Sequence, residues 1–149
     1  MNRIRRILHP TDFSRASGRA LAEARELAKQ NKAELLVVHV METPMPYAAT
    51  EEYASPTLYA ELESTARRQA EATISALLKK IQKARVKAKG LLLKGTPHEQ
   101  IVQVAKTRRV NLIVMGTHGR TGISKLFMGS VAGRVISTAR CPVLTVRGR

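Results

Sequence analysis

Residues 110–136 read VNLIVMGTHGRTGISKLFMGSVAGRVI, an apolar run that stops at Gly116 and passes into a stretch where Gly116, Gly119, Gly122, Gly129 and Gly133 recur. The run is of strand length and shows no polar alternation, the pattern of a strand covered on both faces. The segment GSVAGRVISTA that follows reads as a helix. Glycine costs about 1 kcal/mol relative to alanine inside a regular element. A cluster of glycines between a buried strand and a helix therefore needs a reason: a tight turn, close backbone packing, or a ligand that touches the main chain.

The same strand-then-helix unit repeats on the amino-terminal side. Residues 4–9, IRRILH, read as a short strand running into the loop PTDFS, where Ser14 suits a helix N-cap. In the next segment Ala20, Leu21, Ala24, Leu27 and Ala28 share one helical face. AELLVVHVM, residues 33–41, is a second buried strand, followed by a proline-rich loop over residues 42–57. Helical periodicity resumes from Leu58 through Leu62, Ala66, Ile74, Leu77, Leu78 and Ile81. VKAKGLLLKG gives a third strand, and TPHE then signals a helix start, with Thr96 as N-cap, Pro97 at the first position and Glu99 closing a capping box. CPVLTVR supplies a fifth strand at the end.

Strict alternation of strands and helices favours a five-stranded parallel open sheet flanked by helices, an α/β fold of the Rossmann-like kind. Such sheets bind ligands at the carboxyl ends of the strands, where the strand order reverses. That points to the loops PTDFS, the proline-rich stretch and the glycine-rich stretch. The 149 residues suit a single domain, and 44% hydrophobic with 25% charged residues is the composition of a globular chain. No apolar run reaches the about 20 residues a membrane span needs, and MNRIRRILHPTDFS lacks the features of a signal peptide, so a cytoplasmic location is expected.

Charge is distributed unevenly. The formal net charge is +15; residues 1–72 carry ten basic and ten acidic groups, and residues 73–149 carry sixteen basic groups and only Glu99. A field of this sign attracts phosphates in general, nucleotides and nucleic acids alike, and equally describes a soluble basic surface with no specific partner.

The glycine-rich stretch is not a Walker A loop, because Gly129 is followed by Ser130 and Val131 rather than by lysine and a hydroxyl residue, and it is not GxGxxG. Its spacing is Gly116, two residues, Gly119, nine residues, Gly129, Ser130. Gly116 and Gly119 would let the backbone pass close to a phosphate or ribose, and the free amides of a helix opening at Gly129 and Ser130 would face an anion. Turn formation and helix packing account for the glycines about equally well on their own.

That spacing, with ILHPTDFS near the start, VVHV on the second strand and the terminal CPVLTVR, resembles the ATP-binding branch of the universal stress protein family along essentially the whole chain. The resemblance implies a sheet of the universal stress protein and adenine nucleotide alpha hydrolase-like type. It implies Pro10, Thr11 and Asp12 beside the adenosine and Val40 near the base. It further implies Met115, Gly116, Gly119, Gly129, Ser130 and Val131 around the ribose and phosphates, with ATP, with or without Mg2+, as ligand. Asp12 is the only acid expected in that pocket, and bonding turn amides ahead of the Ser14 helix is its competing role.

Arg120 and Lys125 are secondary candidates for phosphate contact, and His118 for an approach to the ligand. His9 and His39 sit near the ends of neighbouring strands, where satisfied strand histidines are much commoner than a metal pair. Cys141, the lone cysteine, reads as a packed thiol. The leading expectation is a regulatory protein whose partner contacts change with ATP occupancy. Slow ATP hydrolysis or phosphotransfer is the alternative, although little beyond Asp12, Thr11 and Ser130 could serve it. Nucleic-acid binding through the basic half is the third reading, and two phenylalanines, three tyrosines and no tryptophan leave little for base stacking. The resemblance also implies a homodimer through the last strand, an apolar edge that would otherwise stay unpaired.

Overall fold

The computed structural model describes residues 3–42, 55–118 and 128–148. Its elements are β1 (Arg6–Pro10), α1 (Arg15–Asn31), β2 (Glu34–Met41), α2 (Pro56–Lys83), β3 (Ala88–Lys94), α3 (Pro97–Thr107), β4 (Leu112–Gly116), α4 (Ser130–Thr138) and β5 (Val143–Val146). All strand pairings are parallel, in the order β3-β2-β1-β4-β5. The chain works outward from β1 in one direction through β3, then returns to the other side of β1 with β4. The order therefore reverses between β1 and β4.

The continuous apolar runs follow from burial on both faces, because successive side chains of a strand point to opposite sides. Ile7, Leu35, Val37 and Val114 face α1 and α2, where they pack with Ala24, Ala28 and Ile81. Leu8, Leu36, Val38, Ile113 and Met115 face α3 and α4 and pack with Ile101, Val104, Ala132 and Val135. Helix α1 buries Ser17, Ala20, Ala24 and Ala28, small residues that let its axis lie close to the central strands. Leu21 and Leu27 are only partly buried at its flanks.

Helix α2 begins at Pro56, earlier than the periodicity from Leu58 indicates, because Ser55 caps it and proline is favoured in the first turn. Its 28 residues extend about 42 Å, well beyond the seven-residue β3 beneath it. Only Ala70, Ile74 and Ile81 are buried, while Leu58 and Leu62 of the expected apolar face are 46% and 60% exposed. The strands are shorter than their apolar runs. On the β4 side of β1, for example, Asn111 Oδ1 accepts the amides of Arg5 and Arg6, so pairing with β4 begins only at Ile7, while Arg6 still pairs with Glu34 of β2. The capping box at α3 is a correction: Thr96 makes no side-chain cap bond. Pro97 has no amide to satisfy, and the Gln100 amide closes the turn on the Thr96 carbonyl. None of the described helices is long and apolar enough to cross a membrane.

His9 is fully buried in β1, with Nδ1 donating to the Val114 carbonyl at 2.9 Å and Nε2 lacking a partner among the described residues. Burial pushes its pKa down to about 4, against smaller opposing effects of the Val114 bond and the Asp12 charge. An unfolded chain takes up this proton near the ordinary value of 6.5, and the folded chain does not until about 4. Stability is thus present above 6.5 and lost as the pH falls through that window. Urea denaturation at about pH 7.5 and about pH 5 should differ by about 2 kcal/mol from this group. A His9 ring resonance titrating near its ordinary value would contradict this account.

Candidate functional site

The loop after β1 is fixed by its own side chains. Thr11 donates its amide to the Val38 carbonyl at 2.8 Å. Its Oγ1 accepts both the Phe13 amide at 3.1 Å and the Ser17 hydroxyl at 2.8 Å. Asp12 Oδ1 accepts the Ser14 amide at 2.9 Å, and Ser14 Oγ in turn accepts the Ser17 amide at 3.2 Å as the N-cap of α1. His39 Nδ1 donates to the Thr11 carbonyl at 2.8 Å, and the His39 ring stacks on Phe13 with centroids 4.2 Å apart. Phe13 holds φ at 63°, a left-handed conformation a bulky residue adopts only when its surroundings impose it.

Across the reversal point, β4 ends at Gly116. Thr117 donates its amide to the Val146 carbonyl at 3.0 Å, and its own carbonyl accepts the Gly129 amide at 2.7 Å. These two bonds close the base of the glycine-rich segment and bring the start of α4 beside the end of β4. Gly129 is the N-cap of α4, and as a glycine it brings no side chain to cap the helix. The Gly133 amide is the first to reach back, to the Gly129 carbonyl. Helix geometry gives the earlier amides of Ser130, Val131 and Ala132 no intrahelical partner.

Between these loops lies a cavity of about 570 Å³. It brings together nine of the ten residues singled out from sequence: Pro10, Thr11 and Asp12 from the end of β1, Val40 from β2, Met115 and Gly116 from β4, and Gly129, Ser130 and Val131 from the start of α4. The tenth, Gly119, lies outside the described residues, as do Arg120 and Lys125. Val38, Ile101 and Met115 give the cavity an apolar wall. A second cavity of about 410 Å³ adjoins it, sharing Glu42, Pro97, Ser130 and Val131 and adding Thr96, His98 and Arg134.

One expectation changes. Asp12 is not the only acid here, because Glu42, just past β2, lines both cavities. No motif marks Glu42, which takes its place only from where β2 ends. Gly116 lines the cavity and is also packed within the protein: a Cβ there would meet the His118 carbonyl oxygen at 3.3 Å and the Ala16 carbonyl oxygen at 3.6 Å. The glycine lets β4 turn against the first turn of α1.

The histidines divide between core and rim. His39 and His118 line the cavity, with His118 Nδ1 2.9 Å from Thr117 Oγ1, whereas His9 is buried in the sheet. Among the described residues no group of three His, Cys, Asp or Glu is placed to hold a metal. Cys141 packs against the α3–α4 side of the core, and burial pushes its thiol pKa up, away from thiolate.

The sequence profile of the universal stress protein family matches residues 3–147. A universal stress protein of Thermus aquaticus is 38% identical, covering 95% of this chain and 97% of its own length. Universal stress protein MJ0531 of Methanocaldococcus jannaschii is 36% identical over 98% of this chain and 84% of its own. The solved structure of the hypothetical protein MJ0577 superposes with a TM-score of 0.87 at 28% identity over 99% of both chains. More distant structures that share the fold include a universal stress protein in complex with cAMP and one from Archaeoglobus fulgidus in complex with dAMP, at 21% and 24% identity and TM-scores of 0.66 and 0.64.

The Thr11 knot carries a testable cost. Thr11→Val leaves the Phe13 amide and the Ser17 hydroxyl without their shared acceptor, and should lower unfolding free energy by about 1–3 kcal/mol. Ser17→Ala removes one donor and should cost about 1 kcal/mol. Equal denaturation midpoints for Thr11→Val and the parent protein would show that the loop is not held this way.

Proposed function

The chain belongs to the universal stress protein family, and we propose that it is a nucleotide-binding member that holds ATP in the cavity between the carboxyl ends of β1 and β4. The observation that carries this reading is the glycine-capped start of α4 lining a cavity with an apolar wall. Amides at a helix start favour negative charge, and the apolar wall suits a purine. On this reading Pro10, Thr11, Asp12 and Val40 border the adenosine, and Met115, Gly116, Gly119, Gly129, Ser130 and Val131 border the ribose and phosphates.

Asp12 and Glu42 are poor company for phosphates but good acceptors for ribose hydroxyls or an adenine amine. The phosphates belong instead at the α4 end, where the adjoining cavity carries Arg134. With no described cluster of metal ligands at the site, Mg2+ would arrive already bound to the triphosphate and neutralise part of its charge. We assign the protein a cytoplasmic regulatory role, in which occupancy of the pocket alters contacts with a protein partner, and no catalytic step.

Calorimetric titration with ATP, AMP and cAMP tests the ligand, and mass spectrometry of nucleotide released from denatured protein tests what is bound in cells. Gly129 sits at φ −59° and ψ 152°, which valine can adopt, so Gly129→Val should keep the fold. Its branched Cβ beside the helix start should weaken ATP at least about tenfold, the loss expected from about one compromised phosphate contact. Undiminished ATP affinity in that variant refutes the phosphate assignment.

We also infer a homodimer through β5. Among the described strands β5 pairs only with β4, leaving an outer edge on which Leu144 is 40% exposed. Sedimentation at micromolar concentration should give a dimer, and Leu144→Lys should shift it toward monomer. A monomer for the parent protein sinks this assignment.

A further inference from the structure

The end of the sheet opposite the cavity gathers positive charge from every part of the sequence. Five described segments meet there: residues 3–5 ahead of β1, 32–33 between α1 and β2, 84–87 between α2 and β3, 108–111 between α3 and β4, and 139–142 between α4 and β5. Together they hold eight cations, in turn Arg3 and Arg5, Lys32, Arg85 and Lys87, Arg108 and Arg109, and Arg140, and no carboxylate. All eight are exposed. The nearby Glu34 is occupied by Arg6 at 2.9 Å and Lys89 at 3.5 Å. The sequence places most of its excess charge after residue 72, but the fold adds Arg3, Arg5 and Lys32 to the same face.

Helix ends explain only part of this. The carboxyl terminus of a helix carries about half a negative charge, so the four helices ending here offset about two of the eight cations. A large positive excess remains. Backbone conformation points the same way: Lys32, Arg85 and Arg109 hold φ at 52°, 60° and 51°, where glycine or asparagine is favoured. Three successive helix-to-strand connections thus place a cation where glycine would be less strained.

The face is tied together as well as charged. Asn111 Oδ1 accepts the Arg5 and Arg6 amides at 2.8 and 2.9 Å, and the Arg6 guanidinium donates to the Arg108 carbonyl. The segment ahead of β1 is thereby anchored beside Arg108 and Arg109. Five strands at the usual spacing span about 19 Å, close to the width of a nucleic-acid duplex. The five segments contain no Phe or Tyr to stack on bases, and none of the exposed large apolar side chains that could enter a membrane.

We propose that the amino-terminal end of the sheet is a docking face for the phosphate backbone of duplex nucleic acid, sequence-independent and salt-sensitive, on the side of the protein opposite the nucleotide cavity. The chemistry is that of arginine and lysine against a dense row of phosphates, with release of their counterions. No base edge need be read.

Fluorescence anisotropy with a labelled duplex of about 24 base pairs, between about 50 and 200 mM salt, tests the proposal. Binding should be equal for unrelated sequences and fall steeply with salt. The variant Lys32→Gly, Arg85→Gly, Arg109→Gly removes three cations while relieving three left-handed positions, so its melting temperature should be retained or raised. Its duplex affinity at about 0.1 M salt should fall about a hundredfold, and the slope of log K against log salt should shrink by about 3. A charge-matched control, Arg19→Gln, Arg67→Gln, Arg68→Gln, should bind nearly as the parent does. Loss of affinity in the control equal to that of the glycine variant would mean that net charge, not this face, drives binding, and overturns the proposal. It is also overturned by tighter binding to a single strand than to the duplex, or by association with phosphatidylserine vesicles but not with the duplex.

Discussion

Every described strand runs parallel to its neighbours, and that single constraint gives the molecule two chemically opposite ends. In a parallel sheet each helix must start near the carboxyl end of one strand and finish near the amino end of the next. All four helices therefore aim their amide-rich starts at one end and their carbonyl-rich finishes at the other. Anion binding at the first end and cations at the second are both favoured before any particular side chain is chosen. Burial of both faces is what enforces the arrangement, since Ile7 and Leu8, adjacent in sequence, lie in separate apolar clusters on opposite sides of the sheet.

Of the helices that line the cavity, α4 presents the most of its first turn, through Ser130, Val131 and Ala132. Ser14 caps α1, Ser55 caps α2, and Pro97 removes a donor from the start of α3. Helix α4 begins at Gly129, which has no side chain to cap it, and the short bond from the Gly129 amide to the Thr117 carbonyl holds that start against the end of β4. On the opposite wall the Thr11 oxygen gathers bonds from Phe13 and Ser17, so the loop bearing Asp12 is shaped by packing within the protein. An ordered loop facing a helix start is economical for binding, because little remains to be immobilised when a ligand arrives.

The parallel sheet was legible in the sequence because strands buried on both faces leave unbroken apolar runs such as LLVV at residues 35–38. Strand ends were less legible, since the ladder's limits are set by distant partners such as Asn111, which takes the amides of Arg5 and Arg6. The cavity residues on motif-bearing loops could be named in advance. Glu42 could not, because its place depends on how far β2 runs beside β3, up to the pairing of Met41 with Lys94. Gly116 shows the opposite difficulty: sequence alone does not separate a ligand's approach from close packing, and a Cβ there would meet the His118 carbonyl oxygen at 3.3 Å. Periodicity also treated α2 as one amphipathic helix, but its first turns project past the sheet and leave Leu58 and Leu62 exposed. The charged face was hidden for a simpler reason. Its members are scattered from Arg3 to Arg140, and only the topology assembles them.

The two ends are too far apart to sense one another electrostatically. Strands of five to eight residues separate them by about 17–26 Å, two to three Debye lengths at physiological salt. Nor does α1 offer a mechanical link, because Ala20, Ala24 and Ala28 seat it too closely on the sheet to slide without loss of packing. A shorter connection runs sideways. The Thr117 amide bonds to the Val146 carbonyl, joining the end of β4 at the cavity to the end of β5 at the sheet edge. A ligand that pulls on residues 115–118 thus acts one hydrogen bond away from the strand where a second copy would dock. Any dependence of assembly on nucleotide occupancy has its most direct physical route through that bond.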